Sequence, residues 1–304
     1  MITRDRFPTS PLALRSTDPD RQARVRGFAD RQATAATAAR DRLADLWAVS
    51  RHRADRVAAL STVYADLIAW RYDLAVAAGA RLGHGIAYDP ERFRTPIAEG
   101  ATNYDRLGRV GRLCEGAEWD PVSRTYVGGT PTPAYSAMLE YGRAAEDRFA
   151  AEGERGDVLQ NWVRLPDGTR VPGNRIVRGA AARVVAQELT ARVAARGVDA
   201  SRMETGGDPI YAATPAPEDS AALFAAALDL LADPGLTTEG YLTARYLLFQ
   251  APRTKKGSDA VGRTFVVAVG DLVLGEEAPE LPADIDLRCY VLGQTAATAA
   301  HANH

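Results

Sequence analysis

The stretch APRTKKGSDAVGRTFVVAVGDLVL, residues 251–274, marks where two predicted helices meet and so decides how the C-terminal part of the chain folds. Residues 237–250 have a helical pattern. Pro252 must end that helix, because proline lacks a backbone donor and clashes with the preceding turn. Residues 259–274 are apolar and predict a second helix. We therefore expect a break between two helices, with a short basic loop inside it.

The loop holds both lysines of the chain, Lys255 and Lys256, whereas all other strongly basic residues are arginine. It lies just before a predicted helix N-terminus, with Ser258 or Asp259 as the expected N-cap. Such a terminus presents unpaired backbone N–H groups and the positive end of the helix dipole, so it attracts anions. Lysine supplies a compact positive charge of the kind that phosphate-binding loops use. We therefore predict Lys255 and Lys256 as the catalytic residues of a phosphate site.

Other residues of the same loop complete the predicted site. Gly257 and Ser258 are expected to contact the ligand, since a glycine keeps its side chain out of the way. Asp259 is expected to hold Mg²⁺, and Arg263, one helical turn later, to grip a terminal phosphate. The expected ligand is a phosphorylated small molecule, a nucleotide or nucleotide sugar, that binds together with Mg²⁺.

A purely structural interpretation of this loop remains open. Ser258 and Asp259 could cap the helix, and Arg263 could pair with Asp259 at the i, i+4 spacing. The segment is not a Walker phosphate loop, because its lysines precede Gly257 instead of following a glycine. The sequence alone leaves both interpretations standing.

The order of the elements around the loop resembles the Fic family. A predicted hairpin is followed by a helix beginning TPAPEDSAALFAAALDLL, a helix ending ARYLLFQ, and a loop ending DAVGR at the start of an apolar helix. The motif of that family is HPFx[DE]GNGR. A gapless overlay that ends at Arg263 retains Asp259, Gly262 and Arg263, and it places Lys255 where the catalytic histidine belongs.

The resemblance implies a site and an activity. In Fic proteins the acidic residue holds Mg²⁺ against nucleotide phosphates, the arginine binds a phosphate, and the histidine takes the proton from the attacking hydroxyl. The resemblance thus implies Asp259, Gly262 and Arg263 as ligand-site residues, in a transferase that moves a nucleotidyl, phosphoryl or glycosyl group to a hydroxyl or amine. The acceptor would be a protein or a metabolite. The family's usual route of AMP transfer uses the histidine, and this chain has Lys255 at that position.

Composition and pattern predict a mainly α fold. Hydrophobic residues make up 46% of the chain but aromatic residues only 7%, a balance that favours helices packed through alanine. Asp18 and Pro19 provide a helix start, and an apolar stripe over residues 57–71 extends it to a long N-terminal helical hairpin. Asp167 and Gly168 lie between two alternating segments, which predicts a small β-hairpin.

We expect three regions along the chain. Residues 1–17 are predicted to form an extended arm, and residues 18–151 an N-terminal helical region. That region includes a long connector, residues 83–132, rich in glycine and proline. Residues 152–304 are predicted to form the Fic-like helical region.

Charge and cysteine content narrow the class of protein. A net charge of −2, with interspersed acidic and basic residues, disfavours binding to nucleic acid or to membranes. Cys114 and Cys289 are far apart in the sequence and have no CxxC spacing, which argues against a disulfide scaffold or a zinc site. No apolar run has the length of a membrane span. These features indicate a cytoplasmic protein, and the alternative to a transferase is a non-catalytic helical adaptor that binds partners through its N-terminal hairpin.

Overall fold

The computed structural model describes residues 1–78, 89–98 and 102–299, and this part of the chain is mainly helical, as predicted. Its α-helices, in chain order, are α1 Pro19–Arg26, α2 Phe28–Val49, α3 Arg53–Ala78, α4 Pro133–Ala151, α5 Gly179–Ala194, α6 Pro217–Leu231, α7 Thr238–Gln250, α8 Ser258–Val273, α9 Ile285–Val291 and α10 Gln294–Thr298. Within the described ranges, none of these helices combines the length and apolar character that crossing a bilayer requires. A Fic-like arrangement of the helices remains a prediction.

The N-terminal helices begin where the sequence indicates. The Asp18 carboxylate accepts hydrogen bonds from the backbone N–H groups of Asp20 and Arg21, and Pro19 occupies the first helical position. After a break at residues 50–52, α3 follows α2 and packs against it. The predicted N-terminal helical hairpin is therefore present.

Helix α8 lies at the centre of the main hydrophobic core. Every residue from Val261 to Gly270 is buried, so the helix is covered on all sides. An alanine-rich face of α2 packs closely against it, and the Tyr64 ring of α3 makes an edge contact with Phe265, with ring centres 5.1 Å apart. Residues on both sides of the predicted boundary at position 151 belong to this one core.

The predicted β-hairpin is present, and it belongs to a larger sheet. Strands β6 (Val158–Arg164) and β7 (Arg170–Val177) pair antiparallel, and the turn between them contains Gly168 with φ of 87°. The sheet has four strands in the order β1-β8-β7-β6, so strands β1 (Tyr104–Leu107) and β8 (Ile210–Ala213) extend it. The sequence analysis missed both, because each has only four residues and β8 is buried throughout, which removes any alternating pattern.

The long connector contains short strands, although its sequence shows no sustained helical or strand periodicity. Four of them form two small two-stranded sheets, β2 with β5 and β3 with β4. Their bounds are Cys114–Glu115 for β2, Glu118–Asp120 for β3, Thr125–Val127 for β4 and Thr130–Pro131 for β5. Residues 79–88 and 99–101, which include part of the predicted connector, lie outside the described ranges.

The N-terminal segment is held against the body of the protein. It contains two short 3-10 turns, Arg4–Arg6 and Pro11–Ala13. Ile2 and Phe7 are buried in the main core, and the backbone oxygen of Leu14 accepts a hydrogen bond from Ala134. These contacts bring the second turn close to α4.

A buried polar network fastens the sheet to α7 and α9. The Asn161 side chain donates to the Asn174 amide oxygen at 2.9 Å and to the Tyr246 hydroxyl at 2.8 Å. Asn174 in turn donates through its side chain to the Tyr290 carbonyl, and the Gln250 amide oxygen accepts from its backbone N–H. Buried polar groups must be paired, so this network fixes how α9 lies on the sheet.

Helix α4 approaches β1 so closely that only glycine fits at the contact. A Cβ atom at Gly142 would lie 2.3 Å from the Gly108 Cα atom. We predict that Gly142→Ala lowers the free energy of unfolding by about 1 to 3 kcal/mol, the usual cost of an overpacked contact. Urea unfolding followed by circular dichroism measures this change.

Gly262→Ala in α8 is the matched control. Its new methyl group would meet the Phe249 ring at 3.6 Å, an ordinary contact distance. Because alanine is the better helix former, its effect should stay within about 1 kcal/mol of the parent. Equal stability of both variants would show that the close contact between α4 and β1 is not as tight as described.

Candidate functional site

A cavity of about 940 Å³ lies beside the N-terminus of α8. Its described walls come from separate parts of the sequence: residues 10–15, residues 89–95, the start of β1, the end of α5, the loop at residues 252–257 and one face of α9. The loop that the sequence singled out is therefore one wall of this cavity.

The turn before α8 depends on Gly257. This residue is the N-cap of α8 and has a left-handed backbone, with φ of 79°. A Cβ atom at this position would lie 2.7 Å from the Phe93 ring. Glycine adopts this conformation without steric cost and leaves room for the ring.

The predicted side-chain cap of α8 is wrong. Neither Ser258 nor Asp259 caps the helix, because Gly257 takes the N-cap position. The Ser258 hydroxyl instead accepts from the Thr254 N–H and donates to the Thr254 carbonyl, so it closes the preceding loop.

Backbone contacts hold the lysine loop in place on both sides. The N–H groups of Lys255 and Lys256 donate to the carbonyl oxygens of Thr95 and Arg92, each at 3.0 Å. The Lys255 carbonyl also accepts from the Asn103 side chain at 3.3 Å. These bonds involve only backbone atoms of the two lysines, and both residues line the cavity.

Arginines from three other segments line the same cavity as the two lysines. The side chains that line the same cavity are Arg15, Arg92, Arg192, Arg196, Lys255 and Lys256. Burial lowers the pKa of Lys256, and the positive charges of Arg92, Arg15 and Arg71 lower it further. This part of the cavity therefore concentrates positive charge.

The buried side chain of Arg263 joins α8 to the segment before α9. Its Nε atom donates to the Asp259 carboxylate at 2.7 Å, and its Nη2 atom lies 3.3 Å from the Asp286 carboxylate. The same guanidinium donates to the carbonyl oxygens of Pro282 and Ala283. The i, i+4 pair of the structural interpretation is thus present.

Carboxylates occupy another part of the cavity wall. Asp105 of β1, Asp259 of α8 and Asp286 of α9 all line it. Burial raises the pKa of Asp286 to about 7, Asp259 adds to the rise, and Arg263 opposes it. Burial also raises the pKa of Asp105, an exposed residue that lines the cavity, and the positive charges of Arg15 and Arg112 oppose the rise.

The structure brings most of the predicted site residues together. Those that line the cavity are Lys255, Lys256, Gly257, Ser258 and Asp259. Gly262 and Arg263 are not among its lining residues: Gly262 lies against the Phe249 ring, and Arg263 is occupied by the contacts described above. The arginines and the carboxylates Asp105 and Asp286 were missed, because they come from distant segments and no local motif marks them.

Among the residues that line the cavity, Asp259 is the one that could bind Mg²⁺. Its side chain is 39% exposed and lines the cavity. Within the described ranges, no three His, Cys, Asp or Glu side chains are grouped closely enough to hold a metal ion by themselves. Magnesium commonly binds through one or two carboxylates plus substrate phosphates and water, and Asp259 fits that more limited role.

Removing the guanidinium of Arg263 would leave two carboxylates without their shared cation. We predict that Arg263→Met lowers the free energy of unfolding by about 3 to 5 kcal/mol, as expected for one partner of a buried ionic cluster. Urea unfolding at neutral pH measures the loss.

Arg42→Met is the matched control on α2. Arg42 pairs with Asp66 at 3.0 Å, but both side chains are more than half exposed. An exposed pair of this kind contributes less than about 1 kcal/mol. Similar losses in the two variants would contradict a structural role specific to Arg263.

Comparison with known proteins does not assign the chain to a family. The resemblance to the Fic family consists of Asp259, Gly262 and Arg263 together with the order of elements, and it stays a prediction. Functional inference accordingly depends on the cavity and its charges. No protein-family model matches this chain, and no curated protein matches it.

Proposed function

We propose that this protein binds a phosphorylated small molecule, a nucleotide or nucleotide sugar, in the cavity beside α8. The observation that carries the proposal is that six lysine and arginine residues line one cavity, of which Arg192 is paired with Glu188. Two of them, Lys255 and Lys256, belong to the turn that leads into the N-terminus of α8.

The positive charge is local and does not reflect a generally basic chain. The protein as a whole has a net charge of −2. Burial and neighbouring arginines lower the pKa of Lys256, so like charges repel one another in this part of the cavity. A bound phosphate would offset that repulsion and would accept charge-assisted hydrogen bonds.

The size of the cavity suits such a ligand. Its volume of about 940 Å³ falls at the upper end of the range typical of small-molecule sites. Its walls also carry neutral hydrogen-bonding groups, including Asn103, Thr214 and Tyr290. A nucleoside or sugar attached to the phosphate could use these groups.

The proposed chemistry is group transfer to a hydroxyl or amine, from a donor held by its phosphates. Lys255 and Lys256 would stabilise negative charge on the phosphates during the transfer. Asp259 would bind the Mg²⁺ that accompanies the nucleotide. The acceptor would be a protein side chain or a metabolite, and the reaction would take place in the cytoplasm.

The competing proposal is a helical adaptor without a ligand. Its interaction surface would be the hairpin of α2 and α3. One face of each helix is buried against the core, which leaves only the outer faces for a partner. The nucleotide titrations below separate the two functions, because an adaptor would bind none of the ligands.

Replacing both lysines tests the phosphate site. We predict that Lys255→Ala with Lys256→Ala weakens nucleotide binding by about 1.5 to 3 kcal/mol, because charge-assisted hydrogen bonds are lost. The fold should persist, since the loop is held by backbone atoms. Calorimetric titration with ATP, GTP, CTP, UTP and nucleotide sugars, with and without Mg²⁺, gives the affinities.

Arg24→Ala with Arg26→Ala provides the control, because it removes the same charge from exposed positions on α1. This variant should bind as the parent does. If the parent binds none of the ligands, or if the lysine variant binds them unchanged, the proposed function fails.

A second variant tests Mg²⁺ binding by Asp259. We predict that Asp259→Asn abolishes the tightening of nucleotide binding by Mg²⁺, because a hard cation needs the carboxylate charge. Arg263 keeps Asp286 and two carbonyl oxygens in this variant, so the fold should persist. The measurement is the ratio of affinities with and without Mg²⁺.

Asp271→Asn is the control for this measurement. Asp271 lies on the same helix and also pairs with an arginine, Arg40, at 2.9 Å, but it does not line the cavity. Its variant should keep the metal dependence of the parent. An unchanged metal dependence in Asp259→Asn would leave Asp259 with a structural role alone.

A further inference from the structure

The outer face of the β6–β7 hairpin carries arginines that have no acidic partner. Arg164 lies directly opposite Arg170, and Arg175 lies on the same face, opposite Gln160. All three arginines are exposed, and within the described ranges none of them forms an ion pair with a carboxylate. Like charges directly opposite each other on neighbouring strands repel, so this basic face, defined as the three arginines, favours an anionic neighbour.

An exposed tryptophan lies among these arginines. Trp162 is opposite Pro172, and the Arg170 guanidinium lies 5.1 Å from the centre of its ring. Trp162 is nevertheless 48% exposed, and Val158 on the same face of β6 is 42% exposed. Tryptophan and arginine are enriched among the residues that contribute most to binding in protein interfaces. The hairpin therefore has the composition of an interface and not of an ordinary solvated sheet face.

The backbone edge of β6 is already occupied at the end that carries Arg164. The Gln294 side chain of α10 donates to the Arg164 carbonyl at 2.9 Å and accepts from the Arg164 N–H at 2.8 Å. A partner strand would have to displace Gln294 to pair with these backbone groups. A partner would therefore contact the side chains of the basic face.

The same chain carries an exposed acidic segment after α8. Its carboxylates belong to Glu276, Glu277 and Glu280. Two arginines contact this segment through its main chain: Arg6 donates to the Ala278 carbonyl and Arg245 to the Glu280 carbonyl. None of the three carboxylates forms an ion pair with another residue in the part of the chain that the structure describes. The acidic segment therefore complements the basic face in charge.

We propose that the protein self-associates, with the basic face of one copy bound to the acidic segment of a second copy. Three arginines then meet three glutamates that a single copy leaves without ion pairs. A net charge of −2 for the whole chain disfavours nucleic acid as the anion. In a closed symmetric assembly, such as a two-fold dimer, every copy makes the same contact.

Sedimentation velocity of the full chain tests the assembly directly. At about 0.05 M salt and protein concentrations up to about 100 μM, we expect a species larger than the monomer. At about 1 M salt the dissociation constant should rise at least about tenfold, because salt screens exposed charges.

Charge reversal separates the two halves of the contact. Arg164→Glu with Arg170→Glu, and separately Glu276→Arg with Glu277→Arg, should each raise the dissociation constant at least about tenfold, since like charges then meet. An equimolar mixture of the two variants should assemble again, because each face then meets a segment of opposite charge. Assembly of the mixture also shows that both variants are folded.

Arg24→Glu with Arg26→Glu is the matched control, because it makes the same change of charge at exposed positions on α1. This variant should assemble as the parent does. A parent that stays monomeric at low salt would overturn the proposal, as would assembly that either reversal leaves unchanged or a mixture that stays monomeric. If a monomeric parent binds fluorescent polyglutamate through the basic face, a different acidic partner occupies that face, and self-association is again overturned.

Discussion

The buried guanidinium of Arg263 is the interaction on which the arrangement of the cavity depends. It joins α8 to the segment before α9 through two carboxylates and two carbonyl oxygens. Asp259 and Asp286 share this one guanidinium, and burial raises the pKa of Asp286 to about 7, with Asp259 adding to the rise. The contact that fixes the two helices therefore also creates the charge pattern of the site.

The surrounding core keeps this arrangement rigid. Helix α8 is buried from Val261 to Gly270, packed against the alanine face of α2 and the aromatic side chains of α3. Alanine allows these helices to lie close together, and the buried amide network holds α9 on the sheet. Both cysteines are free, so no disulfide contributes to holding the loop before α8 and the carboxylates of β1 and α9 in their relative positions.

Local sequence signals predicted the elements but not the site as a whole. Pro252, the Asp18 cap and the turn at Gly168 each act through the backbone of a few residues, and all three have the predicted effect. The predicted N-cap of α8 was wrong because Gly257, and not Ser258, takes that position. Only glycine fits there beside the Phe93 ring, and Phe93 is far away in the sequence. Asp105 and Asp286 reach the cavity only through the pairing of β1 with β8 and the packing of α9, which no local pattern encodes.

The central claim is that phosphate binds in this cavity beside Arg92, Lys255 and Lys256. Crystals of the protein soaked with pyrophosphate provide the most direct test. The account predicts electron density for the anion within hydrogen-bonding distance of the Lys256 ammonium and the Arg92 guanidinium, at the N-terminal end of α8. Density for pyrophosphate only on the outer surface, with the cavity filled by water, would contradict it.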